Sequence, residues 1–443
     1  MNTKPSIKWV NHASFIFQYK NIRLITDPWL FGPAFHNGWS LLSETQFEMG
    51  DFADITHIWL SHEHPDHFSP RVLKSIPETY RKSITFLFQQ TEDKKVKSFC
   101  ENLGFEVIEL VPDEPYVIDD IELYCSPIMD DSWLLITHEN FQILNVNDCV
   151  IDNENTARRI QDMYDGSLDL LLTQFSYANW IGNPDQIEER KEIAAAKLKE
   201  VANHIDWFEP DYTIPFASFV WFSHEENYYL NETMNTIQDA HDLIAETNSE
   251  PVVLYPNEEW TLGEQHDNDQ SIAKYNEDLK DIPNRERFSS DNVSMDEINT
   301  TVDKVIERVK AENSTVFIKL FYLLRLFKRP LIYLIDKDEV YKFDILSGIT
   351  RMDGIAQSEA DIAMHSESLN YALGFDWGGN TLQINGRFTS PKSPSSYLNF
   401  FIVMKILLHN NAGRSFPFGV IKMYLRDGRV FKVLKQLVTR NVN

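Results

Sequence analysis

"SHEHPDHFSP", residues 61–70, sets His62, His64, Asp66 and His67 within six positions. Crowded imidazoles repel one another when protonated and offer little to an apolar core, so the quartet points to a shared cation. The run before it, "ITHIWL", reads as a buried strand. Ser69 and Pro70 after it read as a helix start, with the serine capping and the proline in the first turn. The cluster therefore occupies a strand-to-helix loop. In extended backbone, residues two apart face the same way, so His62 and His64 can address one ion. The turn into the helix can bring Asp66 and His67 toward a second. Neutral imidazole and carboxylate suit zinc, iron or manganese. A solvated surface cluster, the bland alternative, leaves its place at the end of an apolar strand unexplained.

Outward from this loop, "SFIFQY" and "IRLITD" read as a hairpin, and "ITFLF", "EVIEL", "IELYC", "WLLIT", "FQILNV" and "LDLLLTQF" as further strands. Helical segments such as "TEDKKVKSFCENLG" and "IEERKEIAAAKLKEVANHIDWF" lie between them, which predicts a layered α/β domain over residues 1–263. "YTIPFASFVWF" reads as one late strand. The polar stretch 264–295 is expected to be a linker, followed by a smaller α+β domain over 296–443. In that domain "MDEINTTVDKVIERVKAE" reads as a helix, and "LIYLIDK", "VYKFDIL", "DIAMH" and "TLQINGRF" as strands. A length of 443 residues favours two domains over one core.

The net charge of −26 argues against non-specific binding to nucleic acid or to an anionic membrane, although it allows local basic patches. Three cysteines, Cys100, Cys125 and Cys149, fit reduced thiols in a cytoplasm. The opening "MNTKPSIKWV" does not read as a secretion signal, so a cytoplasmic location is expected. No apolar run reaches the ~20 residues that span a bilayer, so stable membrane insertion is not expected. "YLNFFIVMKILL", residues 397–408, is interrupted by Lys405 and suits a buried element.

The pattern HxHxDH after a hydrophobic strand resembles the metallo-β-lactamase fold superfamily, an αββα sandwich with a one- or two-metal site at the edge of its sheets. The resemblance covers about residues 7–260. "NHASFIF" with His12, "LITDPWLFG" with Asp27, "LNVNDC" with Asp148 and the late "IPFASFVWF" follow in the family's order. It implies that Asp148 bridges two metal ions and acts with Asp66 in catalysis. "NHASFIF", "DPWLFGPAFHNGW", "NVNDC" and "PFASFVWFSHEENYY" are most similar to the branch containing CMP-N-acetylneuraminate hydroxylase, which implies non-haem iron and oxygen insertion. Better-known members of that branch also carry a Rieske iron–sulfur domain. The Cys–His pairs that would bind such a cluster are not found here, so a separate electron-transfer protein is the expected electron donor.

Two departures from the superfamily bear on the metals. Where many hydrolases have a further histidine, the sequence reads "CSPIMDDSW", so Asp130 or Asp131 would substitute. The late "PxH" position reads "IPFAS", with His224 a few residues on as the candidate replacement. Aspartate in place of histidine shifts the ligand set toward harder, higher-valent iron. His12 is a candidate for orienting a ligand or touching substrate, or a hydrogen-bonded core histidine. Gln174 and Tyr177 in "LLTQFSYANW" are candidate substrate contacts at a strand end, or residues that close a turn. Asp27 is expected to hold the metal loop through backbone hydrogen bonds.

The second domain resembles the sterol carrier protein fold in "DIAMHSESLNYALGF" and "TLQINGRF", which implies a lipid-sized cavity, a hydrophobic cover or a homodimer surface. The amphipathic "STVFIKLFYLLRLFKRP" fits each of these. The expected activity is a diiron oxygenase hydroxylating a polar, nucleotide-linked sugar. A dinuclear zinc or manganese hydrolase of a phosphodiester, amide or lactone is the first alternative. A lipid or metabolite binding protein with structural metals is the second.

Overall fold

The computed structural model describes residues 4–129 and 131–426, which form two compact units. The first runs to Ala178 and continues through Arg190–Ser223 and Asn231–Glu286. The second collects Asn179–Glu189, His224–Leu230 and the chain from Arg287 onward.

Two seven-stranded sheets build the first unit as a layered α/β sandwich. One orders its strands Glu259–Thr261, Ser6–Asn11, Ser14–Tyr19, Ile22–Thr26, His57–Leu60, Thr85–Gln89 and Glu106–Leu110. The other orders Glu250–Pro251, Tyr212–Phe216, Leu170–Gln174, Phe141–Asn147, Asp131–His138, Ile121–Ile128 and Tyr116–Ile118. Each sheet is antiparallel over one part and parallel over the rest. Strand alternation sorts the apolar residues between two layers. Trp9 and Phe15 face Phe216 of the other sheet, and Phe17 faces Phe141. Val10, Ile16, Ile25, Ile58 and Phe86 pack outward with Val72, Leu73, Val96 and Cys100 of the helices Pro70–Ser75 and Lys95–Asn102.

Three expectations are corrected. The stretch read as a linker contains the helix Asn268–Asp281, capped by Asp267 and burying Ser271, Ile272 and Tyr275. Tyr275 packs on Phe219 and donates its hydroxyl to the carbonyl of Leu254 at 2.8 Å. Three buried positions on one face suffice to anchor it, and the charged remainder made it read as unstructured. The segment 212–222 is broken rather than continuous: Ala217 takes φ 46°, so Tyr212–Phe216 joins the second sheet while Val220–Phe222 pairs with Trp39–Leu41. "TLQINGRF" is mostly helix, Gly378–Asn385, which Gly386 ends in the left-handed conformation at φ 67°.

The second unit holds a four-stranded sheet, Gly348–Arg351, Glu339–Asp344, Leu331–Leu334 and Ile362–Met364. The helix Met295–Glu312 starts where Ser294 and Glu297 form a capping box, and it buries Ile298, Val302, Val305, Ile306 and Val309. The apolar run near residue 400 is the helix Leu398–Asn411, buried at Phe400, Val403 and Ile406.

Candidate metal centre

The motif loop leaves the His57–Leu60 strand at its carboxyl end and turns tightly, with the N–H of His67 and of Phe68 both bonded to the carbonyl of His64 at 3.0 and 2.7 Å. The Ser69 hydroxyl then accepts from the N–H of Val72, and Pro70 opens the helix. Around this loop the other candidate residues arrive from strand ends: His12 after Ser6–Asn11, Asp27 after Ile22–Thr26, Asp148 after Phe141–Asn147, and Asp131 at the start of its strand. The carboxyl ends of parallel strands are where an α/β sheet ordinarily presents a site.

Three overlapping groups could each hold an ion: His62, His64 and Asp131; His62, His67 and Asp148; and His12, Asp66 and His67. Nε2 of His62 lies 2.9 Å from Nδ1 of His64 and 3.5 Å from Oδ1 of Asp131. Nε2 of His67 lies 3.4 Å from Oδ2 of both Asp66 and Asp148, and Nε2 of His12 is 3.4 Å from Oδ2 of Asp66. His62 and His67 are shared between groups, an arrangement suited to two neighbouring ions.

A fourth carboxylate assigns the imidazole tautomers. Oδ2 of Asp27 is 2.8 Å from the Ser61 hydroxyl and 3.0 Å from Nδ1 of His67. A carboxylate only accepts, so Ser61 donates to it and can only accept from Nδ1 of His62, 2.9 Å away. Both imidazoles thereby carry their proton on Nδ1 and leave an Nε2 lone pair for a metal. Nε2 of His67 and Oδ1 of Asp66 are buried with no hydrogen-bond partner among the described residues. Buried polar atoms are rarely left so, and a cation would satisfy both. The donor set thus fits a metal ion.

The electrostatics show how strongly the site draws positive charge, which a proton on His67 supplies where no cation is bound. Burial opposes charge on His67, yet Asp66, Asp148 and Asp27 together raise its pKa well above the ordinary histidine value. Burial opposes the Asp66 carboxylate too, but His67 and His12 hold its pKa well below the usual range. Burial, with His67 and His64, pushes His62 well down and favours its neutral form. Four residues at the strand ends, His12, Asp27, Asn147 and Ala217, have positive φ between 36° and 50°. Such conformations cost on the order of 1–3 kcal/mol each and gather at functional sites.

The remaining predicted residues are placed as follows. Gln174 donates to Oδ1 of Asp148 at 3.0 Å and to the carbonyl of Ala217. Tyr177 bonds its hydroxyl to Oγ1 of Thr233 at 2.9 Å and is in none of the three groups. His224 belongs to the second unit and joins none of them; burial and the Arg387 guanidinium push its pKa down to about 4. Asp130 lies outside the described residues. Sequence reading passed over Ser61, although it opens the quoted stretch. It also passed over Asn147, which donates to Oδ2 of Asp27 at 3.2 Å. Gln89 and Ser132, both bonded to the Ser61 carbonyl, were missed as well, and only the fold brings them there.

Residues 6–124 match the family model of the beta-lactamase superfamily domain. The cytidine monophosphate-N-acetylneuraminic acid hydroxylase of Mus musculus is 27% identical over 269 residues, covering 56% of this chain and 45% of its own. The chain spans about half the length of the curated relatives it matches. Among solved structures, CmlA, a diiron β-hydroxylase from Streptomyces venezuelae, aligns at 15% identity and a TM-score of 0.43 over 59% of this chain and 55% of that one. A possible metal-dependent hydrolase from Veillonella parvula aligns at 17% identity and a TM-score of 0.45 over 59% of this chain and 100% of that one.

Proposed function

We propose, on the premise that the first unit is a metallo-β-lactamase-fold domain similar to the CMP-N-acetylneuraminate hydroxylases, that the chain is a dinuclear non-haem iron hydroxylase of a polar, nucleotide-linked sugar. The carrying observation is the Asp131 carboxylate beside His62 and His64, which brings three aspartates into a set with four histidines. Each carboxylate in place of an imidazole hardens the donor set and moves it from zinc toward iron.

His62, His64 and Asp131 would hold one ion, Asp66, His67 and His12 the other, with Asp148 between them. Iron bound there would supply activation of dioxygen, placing one oxygen atom in a C–H bond of the substrate and releasing the other as water with two protons from solvent and two electrons from a separate electron-transfer protein. Gln174 fixes Asp148 by holding Oδ1, so that Oδ2 stays turned to His67. Ser61 and Asp27 hold the Nδ1 protons of His62 and His67, so Nε2 is the atom each ring would turn to a metal. Ala217, third in the Pro215–Phe216–Ala217 run, has no imidazole to offer; its N–H bonds the carbonyl of His12 at 3.2 Å, and His12 supplies the ring beside Asp66 instead.

That replacement also favours a rival reading. With His12 and His67 flanking Asp66, the second group is histidine-rich, as suits a hydrolase that makes hydroxide from metal-bound water. The test is metal analysis of protein purified without oxygen, with dioxygen uptake measured with a reductant and a CMP-linked sugar. A pair of irons per chain and substrate-dependent uptake are expected. Zinc alone, no uptake, and phosphodiester turnover under nitrogen would replace this reading with the hydrolase.

A further inference from the structure

The second unit carries an apolar surface with no role in the metal centre. The helix Thr315–Leu323 buries Ile318 and Tyr322 on its own unit. Val316, Leu323 and the following Leu324 stay exposed, Leu323 by 78%. The helix Phe418–Arg426 does the same with Phe418, Ile421 and Leu425, Phe418 being 65% exposed. Spacings of three, four and seven residues put Val316, Leu320 and Leu323 on one face of the first helix and Phe418, Ile421 and Leu425 on one face of the second. The two helices meet: Phe317 and Phe418 pack edge to face at 5.3 Å, Phe321 and Phe416 at 5.0 Å, and the N–H of Ser314 bonds the carbonyl of Phe416. With Leu320, these segments hold half of the large apolar side chains that are exposed among the described residues. A contiguous exposed patch of this kind marks an interaction surface.

Charge identifies the occupant. Residues 313–330 and 412–426 hold seven of the chain's 41 lysines and arginines and none of its 67 acidic residues. Lys319, Lys328 and Lys422 are exposed. Elsewhere the chain is strongly acidic, so cations are concentrated around the apolar face. We propose that this face docks the protein on an anionic lipid bilayer, with the apolar side chains entering the headgroup boundary and the cations pairing with lipid phosphates and carboxylates. Docking here is interfacial, and no described helix is long and apolar enough to cross a membrane. A second copy is a poorer occupant, because two like-charged rims would face each other. Repulsion of the acidic remainder acts within a Debye length of about 8 Å of the headgroups, so the protein approaches the lipid with this face first.

The test is co-sedimentation of the full, metal-loaded chain with vesicles of phosphatidylserine in phosphatidylcholine and of phosphatidylcholine alone. Binding to the anionic vesicles, weakened by added salt, is expected. K319E/K328E should lower the partition coefficient by about twenty-five-fold or more, at about fivefold per charge removed. L323E/F418E should abolish what binding remains. All four positions are exposed, so metal content and circular dichroism should match the parent. No binding to anionic vesicles, or equal binding by parent and both variants, would overturn the proposal. So would a dimer seen without lipid that L323E/F418E dissociates, which would assign the face to a second copy.

Discussion

Asp27 grips His67 from behind: Oδ2 accepts from Nδ1 of the imidazole at 3.0 Å while Oδ1 accepts the backbone N–H of Ser61 at 2.8 Å. One buried carboxylate therefore sets both the path of the motif loop and the face that His67 would turn to a metal. Asp27→Asn keeps the shape but puts a donor group where only acceptors now stand. Metal affinity should fall by about ten- to a hundredfold, as when other partners behind metal-bound histidines are lost. Competition against a chelator measures this, and unchanged affinity would show that the tautomer is not set by Asp27.

Asp131 is the residue on which the proposed preference for iron turns. Asp131→His replaces its carboxylate beside His62 and His64 with a third imidazole and moves the set toward zinc. Loading from equimolar iron and zinc should shift toward zinc, and iron-dependent dioxygen uptake should drop while the stoichiometry of bound metal is kept. A variant that loads as the parent does would remove the argument from donor hardness.

The motif loop and its helix were legible because their signals are local: an apolar strand, four ligand-type residues, and a serine and proline at the helix start. Asp27 was legible for the same reason, and its bond to the N–H of Ser61 is the backbone anchoring expected of it. The sequence offers Asp130 and Asp131 as alternatives, since neighbouring aspartates share one chemistry, and Asp131 is the member of the pair among the described residues. The position of His12 beside Asp66 depends on a contact 54 positions apart, which no spacing rule encodes. The Asn268–Asp281 helix was misread because most of its length faces solvent, and composition alone does not distinguish a solvated helix face from a linker.

His204 gives the first unit a pH dependence away from the metals. Its Nε2 donates to the carbonyl of Ile151 at 3.2 Å, and Nδ1 accepts from the Thr173 hydroxyl at 2.8 Å. Burial lowers its pKa to about 4 from 6.5, so the fold favours the neutral ring. The unfolded chain binds the extra proton first; stability is full above pH 6.5 and is lost as pH falls toward 4. The loss approaches about 3 kcal/mol at 1.36 kcal/mol per unit. Urea unfolding of the parent and His204→Gln across this range should give curves that converge on acidification.

Arg387 supplies the corresponding anchor of the second unit. Its side chain is fully buried and donates to Oε2 of Glu226 at 3.2 Å, Oε2 of Glu367 at 2.8 Å and the Ser290 hydroxyl at 2.7 Å. Those partners lie on three separate segments, so one guanidinium ties the His224–Leu230 excursion to the body of the unit. Arg387→Ala would leave two carboxylates facing one another with little water to screen them. Breaking a buried pair from one side costs about 3–5 kcal/mol, and the partial exposure of both glutamates places this case near the lower end. Arg387→Met combined with Glu226→Gln and Glu367→Gln removes the charges together and should recover most of the loss. Urea unfolding of the two variants separates the cost of orphaned charge from the cost of lost packing. If the triple variant is as unstable as Arg387→Ala, the guanidinium acts by filling space rather than by neutralising the glutamates.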